Sequence, residues 1–327
     1  MAGMNATNIN PLSNPKGVKL GCELCGKPAY LRCDGCRVTY YCDKEHQETD
    51  WSGIHARICM LVVPLRTPVA ILGSEEERAH RETQTRRRQV HLLELTKTEA
   101  HKKLYEEEYH LAIPAALQAL RFSMQVYGPN SAQLVPAYLL LGESSIGLNQ
   151  LAQAEDYLSL AKWALMKKRA AKRRGEPTIQ AGNERSSALR VEGGEDSDGG
   201  GRETAAAEGG TGGGGGGGGG DADEADEDHE VLALLNRNFG LLYLKKGKTE
   251  EAIRYFALDI YHSSIAKNDP EDLSVTGGYF HLGNVFNLLP TRADDCHALF
   301  ERVAEIWRAA LMRDSDTLQL GKFAQKS

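Results

Sequence analysis

The sequence predicts a mainly α-helical protein: a small module rich in cysteine and histidine near the start of the chain, followed by an α-solenoid of helical hairpins. Three observations predict it. Six of the seven cysteines lie between Cys22 and Cys59. Downstream, apolar residues recur at helical spacing, with no sustained period-two alternation outside the cysteine cluster. Small residues there also recur at a long, nearly constant interval, the mark of a repeat architecture.

Composition narrows the class. A chain of 327 residues has room for two or three domains, and 41% hydrophobic residues allow a sizeable core. The net charge of −6 argues against nucleic acid as a partner, because displacing counterions from phosphate needs a basic surplus. The opening MAGMNATNINPLSNPKG is polar and has no apolar signal core. The most apolar stretch, Ile58 to Gly73, is broken by Pro64, Arg66 and Pro68 and is too short to span a bilayer. An intracellular protein with no membrane partner is expected. In a reducing compartment, this density of cysteines means metal rather than disulfides.

The chain divides by composition. Residues 1–20 are expected to be a disordered leader and 21–60 the Cys/His module. Residues 61–90 read as a linker and charged helix, 91–168 as two repeats, 230–313 as two more, and 314–327 as a tail. Between the repeat pairs, 169–229 opens on Lys172, Arg173 and Arg174, runs through Gly212 to Gly220, and closes on the acidic Asp221 to Glu230. Such a stretch buries too little apolar surface to offset its ordering entropy and is expected to be a disordered insert. Ser74 before Glu75, Glu76 and Glu77 reads as a capped helix start, with the helix reaching about Glu107. Asp269 and Pro270 read as N-cap and first helical residue, and Gly247 and Thr249 as a helix end and the next cap.

The helical part repeats itself. Twelve residues separate Ala100 from Ala112, Gly142 from Ala154, and Gly240 from Ala252; Gly283 to Cys296 is one residue out of step. Larger apolar residues follow each, among them Leu158, Phe256 and Phe300. This is the tetratricopeptide pattern, in which small residues let paired helices cross closely. The interval is 42 residues from Ala100 to Gly142 and 43 from Gly240 to Gly283. The standard unit is about 34, so these helices or loops are longer.

The cysteine cluster has the spacing Cys22-x2-Cys25-x7-Cys33-x2-Cys36-x5-Cys42-x3-His46-x8-His55-x3-Cys59. Structural zinc takes four thiolate or imidazole donors in a tetrahedron. Eight donors in four pairs therefore make two closed structural zinc sites with no position for a catalytic water. So short a segment cannot build an adequate core and needs such a staple.

Thr39-Tyr40-Tyr41-Cys42, followed by His46, Gln47, Trp51, His55 and Cys59, resembles the MYND zinc finger. The resemblance implies interleaved sites: Cys22, Cys25, Cys42 and His46 on one zinc, and Cys33, Cys36, His55 and Cys59 on the other. It implies non-catalytic protein binding, with Gln47 and Trp51 near a groove for proline-containing peptides, although Trp51 also suits packing behind the helical hairpin. Two departures stand out. Histidine replaces the usual cysteine at His46, and one extra residue separates Trp51 from His55. Further stretches, PLRT at 64–67, PAALQALRF at 114–122, LVPAYLLLGE at 134–143 and GGYFHLGN at 277–284, resemble a family that couples this finger to tetratricopeptide-like repeats in motile cilia and flagella. That likeness implies an axonemal adaptor with other tetratricopeptide proteins and inner dynein arm components as partners, and further helices past the fourth repeat.

Groove positions for a partner are Lys97, His101, Glu143, Arg237, Asn284 and Asn287. A nuclear corepressor-type adaptor is the alternative, with Lys167 to Arg174 as an import signal. A lysine methyltransferase fits poorly, since no cofactor-binding or catalytic signature of that class is found. The finger's Arg32, Arg37 and Lys44 are offset by Glu23, Asp34, Asp43 and Glu45, which disfavours direct nucleic-acid binding.

Overall fold

A computed structural model describes residues 5–9, 20–67, 73–174 and 219–324. The chain is mostly helical, with the Cys/His module leading a series of mutually packed helices. The module holds a small antiparallel sheet in the order β1 (Ala6–Asn8), β2 (Leu31–Cys33), β3 (Tyr40–Tyr41). The register pairs Ala6 with Cys33 and Leu31 with Tyr41. The strand at Ala6–Asn8 corrects part of the expectation of a disordered leader. The outer edge of β2 offers unpaired backbone groups, and β1 fills it, helped by Thr7 Oγ1 donating to Asp34 at 2.8 Å. Three short helices follow: α1 (Lys44–Asp50), α2 (Ala56–Ile58) and α3 (Val63–Arg66), with a π turn at Trp51–His55 between the first two.

Among the described residues, four antiparallel helical hairpins come next. They pair α4 (Glu75–Tyr105) with α5 (Tyr109–Tyr127) and α6 (Val135–Gly147) with α7 (Leu151–Arg173). The third and fourth pair α8 (Gly219–Lys245) with α9 (Thr249–Lys267) and α10 (Thr276–Asn287) with α11 (Ala293–Ala324). Each hairpin packs on the next through its neighbours in sequence, α5 on α6, α6 and α7 on α8, and α9 on α10. Ser74 caps α4, its hydroxyl accepting from the Glu76 amide at 3.2 Å, as expected.

The first three hairpins turn in the same way. Glu107, Asn149 and Gly247 each adopt a positive φ, at 58°, 57° and 72°. The next residue's amide reaches five residues back each time, Glu108 to Lys103, Gln150 to Ser145 and Lys248 to Tyr243, at 2.8–2.9 Å. The cap before α9 is therefore Lys248 rather than Thr249. The helices are long: the second helices run to 19 residues in α5, 23 in α7 and 19 in α9, and the first helices α4 and α8 to 31 and 27.

The small residues singled out by the repeat do lie at the crossings. A Cβ built on Gly142 would stand 2.8 Å from Leu158, one on Gly240 2.5 Å from Phe256, and one on Gly283 2.8 Å from Phe300. Gly240→Ala is expected to cost roughly 1–3 kcal/mol, since the ring must shift inside a filled core. Phe256→Leu in the same chain should recover part of the loss, measured by urea denaturation.

Several boundaries differ from expectation. The basic run up to Arg173 is the end of α7, and the acidic run is the start of α8, so both flanks of the expected insert are helical. Across this junction Lys168 of α7 pairs with Asp228 of α8 at 2.9 Å. Residues 175–218, the centre of that insert, lie outside the described residues. Helix α11 likewise continues through most of the expected tail. Asp269 and Pro270 form a turn instead of a helix start. Asp272 takes the cap role, accepting from the Ser274 amide at 2.8 Å ahead of a short 3-10 turn into α10. Among the described residues no helix is long and apolar enough to cross a membrane.

His281 of α10 stacks on Phe256 of α9, ring centroids 5.3 Å apart. Burial, and secondarily the charge of Arg237, pulls its pKa from 6.5 down to about 4. The unfolded chain then takes up a proton near pH 6.5 that the folded chain refuses until about pH 4. Stability is expected to fall as pH drops through that window. His281→Phe should flatten this part of the curve of melting temperature against pH.

Candidate metal centre

Each Cys-x-x-Cys segment is a tight turn that aims two sulfurs the same way. In the first, the Gly26 amide donates to the Cys22 carbonyl at 2.9 Å, with Gly26 at φ 69°. In the second, the Arg37 amide donates to the Cys33 carbonyl at 3.0 Å, with Arg37 at φ 59°. The remaining donors come from the end of β3 and the helices after it. Cys42 follows β3 directly. Asp43 caps α1 by accepting from the His46 amide at 2.7 Å, which places His46 in the first helical turn. That hydrogen bond, more than any other influence, holds the Asp43 carboxyl below its usual range.

Two sets of four donors result, Cys22, Cys25, Cys42 and His46, and Cys33, Cys36, His55 and Cys59, with the donor atoms of each set all within 4.8 Å of one another. A zinc ion about 2.3 Å from each sulfur places tetrahedral neighbours roughly 3.8 Å apart. The observed edges fit: Cys25 to Cys42 is 3.6 Å, Cys22 Sγ to His46 Nδ1 3.5 Å, Cys33 to Cys59 3.9 Å and Cys36 Sγ to His55 Nε2 3.6 Å. The edge from Cys42 to His46 is compressed at 3.0 Å. All four donors of the second set are buried, whereas the first set lies nearer the surface. These are two zinc-binding clusters with only protein donors, interleaved along the chain. The seventh cysteine, Cys296, is buried on α11, away from both.

The extra residue between Trp51 and His55 has a structural answer. The segment Trp51–His55 is a π turn, in which the Ala56 amide bonds back to the Trp51 carbonyl five residues earlier. A wider turn absorbs one residue without rotating the helix after it, so His55 and Cys59 still meet Cys33 and Cys36.

Behind the second set stands Asp50, fully buried. Its carboxylate accepts from the Tyr41 hydroxyl at 2.7 Å and lies 3.7 Å from His55 Nδ1. Burial pushes this carboxyl up to about 6, against the pull of His55 and Tyr41. At that distance the carboxylate is an ion-pair neighbour of Nδ1 rather than a hydrogen-bond acceptor, and its charge favours a proton on Nδ1, leaving Nε2 for the metal. Neither Asp50 nor Tyr41 was legible as functional in the sequence; the only signal is their place beside Trp51 and Cys42. Asp50→Asn is expected to weaken zinc at the second set about 10- to 100-fold, read by competition with a chromogenic chelator.

The module is seated on the first hairpin. Ile54, Ile58 and Val62 share one buried core with Leu92, Leu93, Ala100, Ala112 and Ala116 of α4 and α5. At Gly53 the backbones nearly touch: a Cβ there would stand 2.6 Å from the Leu111 carbonyl and 3.0 Å from Pro114. Polar contacts rim this core. Arg57 pairs with Glu99 at 2.7 Å. Glu23, next to the ligand Cys22, takes both arms of Arg66, at 2.7 and 3.1 Å, and accepts from Gln118 at 2.6 Å and from Arg121. Burial would raise the Glu23 carboxyl, but Arg66 and Arg121 together hold it below its usual value. Glu23 is thus a buried clamp and not the surface acid that the charge tally of the finger assumed.

Gln47 is also buried, on α1, which packs beside α5, and its side-chain amide nitrogen has no hydrogen-bond partner among the described residues. A peptide could not reach it while the module stays seated. Trp51 is half-buried, packs on the second cluster and lies 5.8 Å from the His55 ring. The groove positions all fall on the first helices of the hairpins. Arg237 there is engaged with Asp259 and with the Ser274 carbonyl, and Lys97 with Glu94. His101 and Asn287 are exposed, and Glu143 and Asn284 are half-buried.

Comparison with known proteins agrees with this geometry. Residues 22–59 match the family model of the MYND finger. The finger is a protein-interaction module. The chain is 54% identical over 39 residues to Egl nine homolog 1 of Homo sapiens, covering 12% of this chain and 9% of the relative. Egl nine homolog 1 of Mus musculus is likewise 54% identical over 39 residues, covering 12% and 10%. The chain spans about a tenth of the length of these relatives, so the likeness is confined to a short segment.

Proposed function

We propose that the protein is a non-catalytic adaptor in which a MYND finger and a stack of tetratricopeptide-like hairpins together hold protein partners. The observation that carries this is the closed donor set. Each metal cluster has four protein ligands, leaving no coordination position for substrate or water. Repeat kinship draws on the identical turns at Glu107, Asn149 and Gly247 and on the small residues at the crossings. Of the two finger residues offered for peptide contact, Trp51 is the one a partner reaches. On the helical side His101, Glu143, Asn284 and Asn287 remain available.

The setting we propose is the axoneme of cilia and flagella, with tetratricopeptide proteins and inner dynein arm components as partners. It draws on the resemblance of the finger, of residues 114–122 and 134–143, and of residues 277–284 to zinc finger MYND domain-containing protein 12. Tagged full-length protein in a ciliated cell should locate to the axoneme, and Cys33→Ser should lose the co-purified partners. A nuclear signal without an axonemal one would favour the corepressor-type reading instead.

A further inference from the structure

Between the second and third hairpins lies a cavity of about 110 Å³, away from the finger. Leu165 of α7, Leu232, Leu235 and Phe239 of α8 and Tyr255 of α9 form its walls. Its volume is on the order of one aliphatic or aromatic side chain. Met166, at the mouth of the cavity, is 55% exposed, and Trp163, about one turn before it on α7, is 64% exposed. Exposed apolar side chains beside a pocket are the usual anatomy of a binding hot spot.

The rim is cationic. Lys162 Nζ sits 5.7 Å over the Phe239 ring, and Arg169 stands two turns further along α7 at the other end of the cavity. Lys168 is neutralised by Asp228, but Lys162 and Arg169 have no carboxylate partner among the described residues. Beyond Arg169 come His229 and His262, whose Nδ1 atoms are 2.9 Å apart. Asp228 and Glu230 near that end are engaged with Lys168 and Lys267, so among the described residues Lys162 and Arg169 are the charges that line the cavity.

We propose that this face docks an amphipathic, acidic segment of a partner protein, placing one large apolar side chain in the cavity and carboxylates against Lys162 and Arg169. Charge complementarity selects that occupant: a basic segment would be repelled at both ends, and a neutral one would leave two guanidinium or ammonium groups beside a dry surface. The inference deepens the adaptor reading by assigning it a surface formed by α7, α8 and α9, separate from the finger and lined by none of the six groove positions.

The probe is a fluorescein-labelled 18-residue helical peptide built from leucine and glutamate, titrated into the zinc-loaded full chain and followed by anisotropy. Saturable binding is expected. Replacing every glutamate of the peptide with lysine, or every leucine with serine, should abolish it. Lys162→Glu with Arg169→Glu should weaken it at least about tenfold, as should Met166→Asp, an exposed position whose change leaves the helical circular dichroism intact. No saturable binding, equal binding of the lysine peptide, or unchanged binding in both variants would overturn the proposal. Any of those results would leave the finger-dependent partners of the adaptor reading untouched, since those are scored by Cys33→Ser.

Discussion

Cys33→Ser is expected to unfold the finger and to lower the stability of the hairpin formed by α4 and α5 with it. Structural zinc supplies roughly 10–16 kcal/mol of apparent folding energy in small finger peptides, and the second cluster is the buried one. Removing one of its four thiolates opens the site. The released segment takes Ile54, Ile58 and Val62 out of a core they share with Leu92, Leu93 and Ala100. Zinc content should fall from two ions per chain toward one or fewer, and the first thermal transition should move down by more than about 10 °C. Cys296→Ser is the control. That thiol ligates nothing among the described residues, so both readouts should stay close to those of the parent.

Arg237→Leu is expected to have the next largest effect, about 3–5 kcal/mol. Arg237 donates from Nε and one terminal nitrogen to the two oxygens of Asp259, at 2.8 and 3.2 Å, and bridges to the Ser274 carbonyl at 3.1 Å. It thereby ties α8, α9 and the entry to α10 together. The Asp259 side chain is fully buried, so truncating its partner strands a carboxylate away from water. Pairing Arg237→Leu with Asp259→Leu should recover much of the loss, because the penalty lies in the unpaired charge more than in the missing attraction. A double variant no more stable than Arg237→Leu alone would instead mean that the guanidinium acts mainly through Ser274 and its packing.

The eight zinc donors were legible in the sequence, because a metal site is a list of donors at fixed spacing. Which four share an ion was implied only by the resemblance to the MYND finger, and the fold brings those same sets together. The helical crossings were legible for a similar reason: at Gly142 and Gly240 a close approach demands a residue without a Cβ. The hairpin turns were legible only in the third hairpin. Glycine marks the positive φ at 247, while glutamate and asparagine carry it at 107 and 149 and hide it. The docking of finger on hairpin was not legible at all. It depends on contacts between Glu23 and Arg121, or Gly53 and Pro114, that are far apart in the chain and individually ordinary. The burial of Gln47 comes from that docking, which is why a position expected at a peptide groove proved closed.

Amide hydrogen exchange along α5, followed in the full chain before and after zinc is removed with a chelator, measures this docking directly. Metal loss should raise exchange at Ala112 to Leu120, whose side chains meet the finger's core, while α9 keeps its protection. Unchanged protection in α5 after both ions have left would contradict a core shared between finger and hairpin.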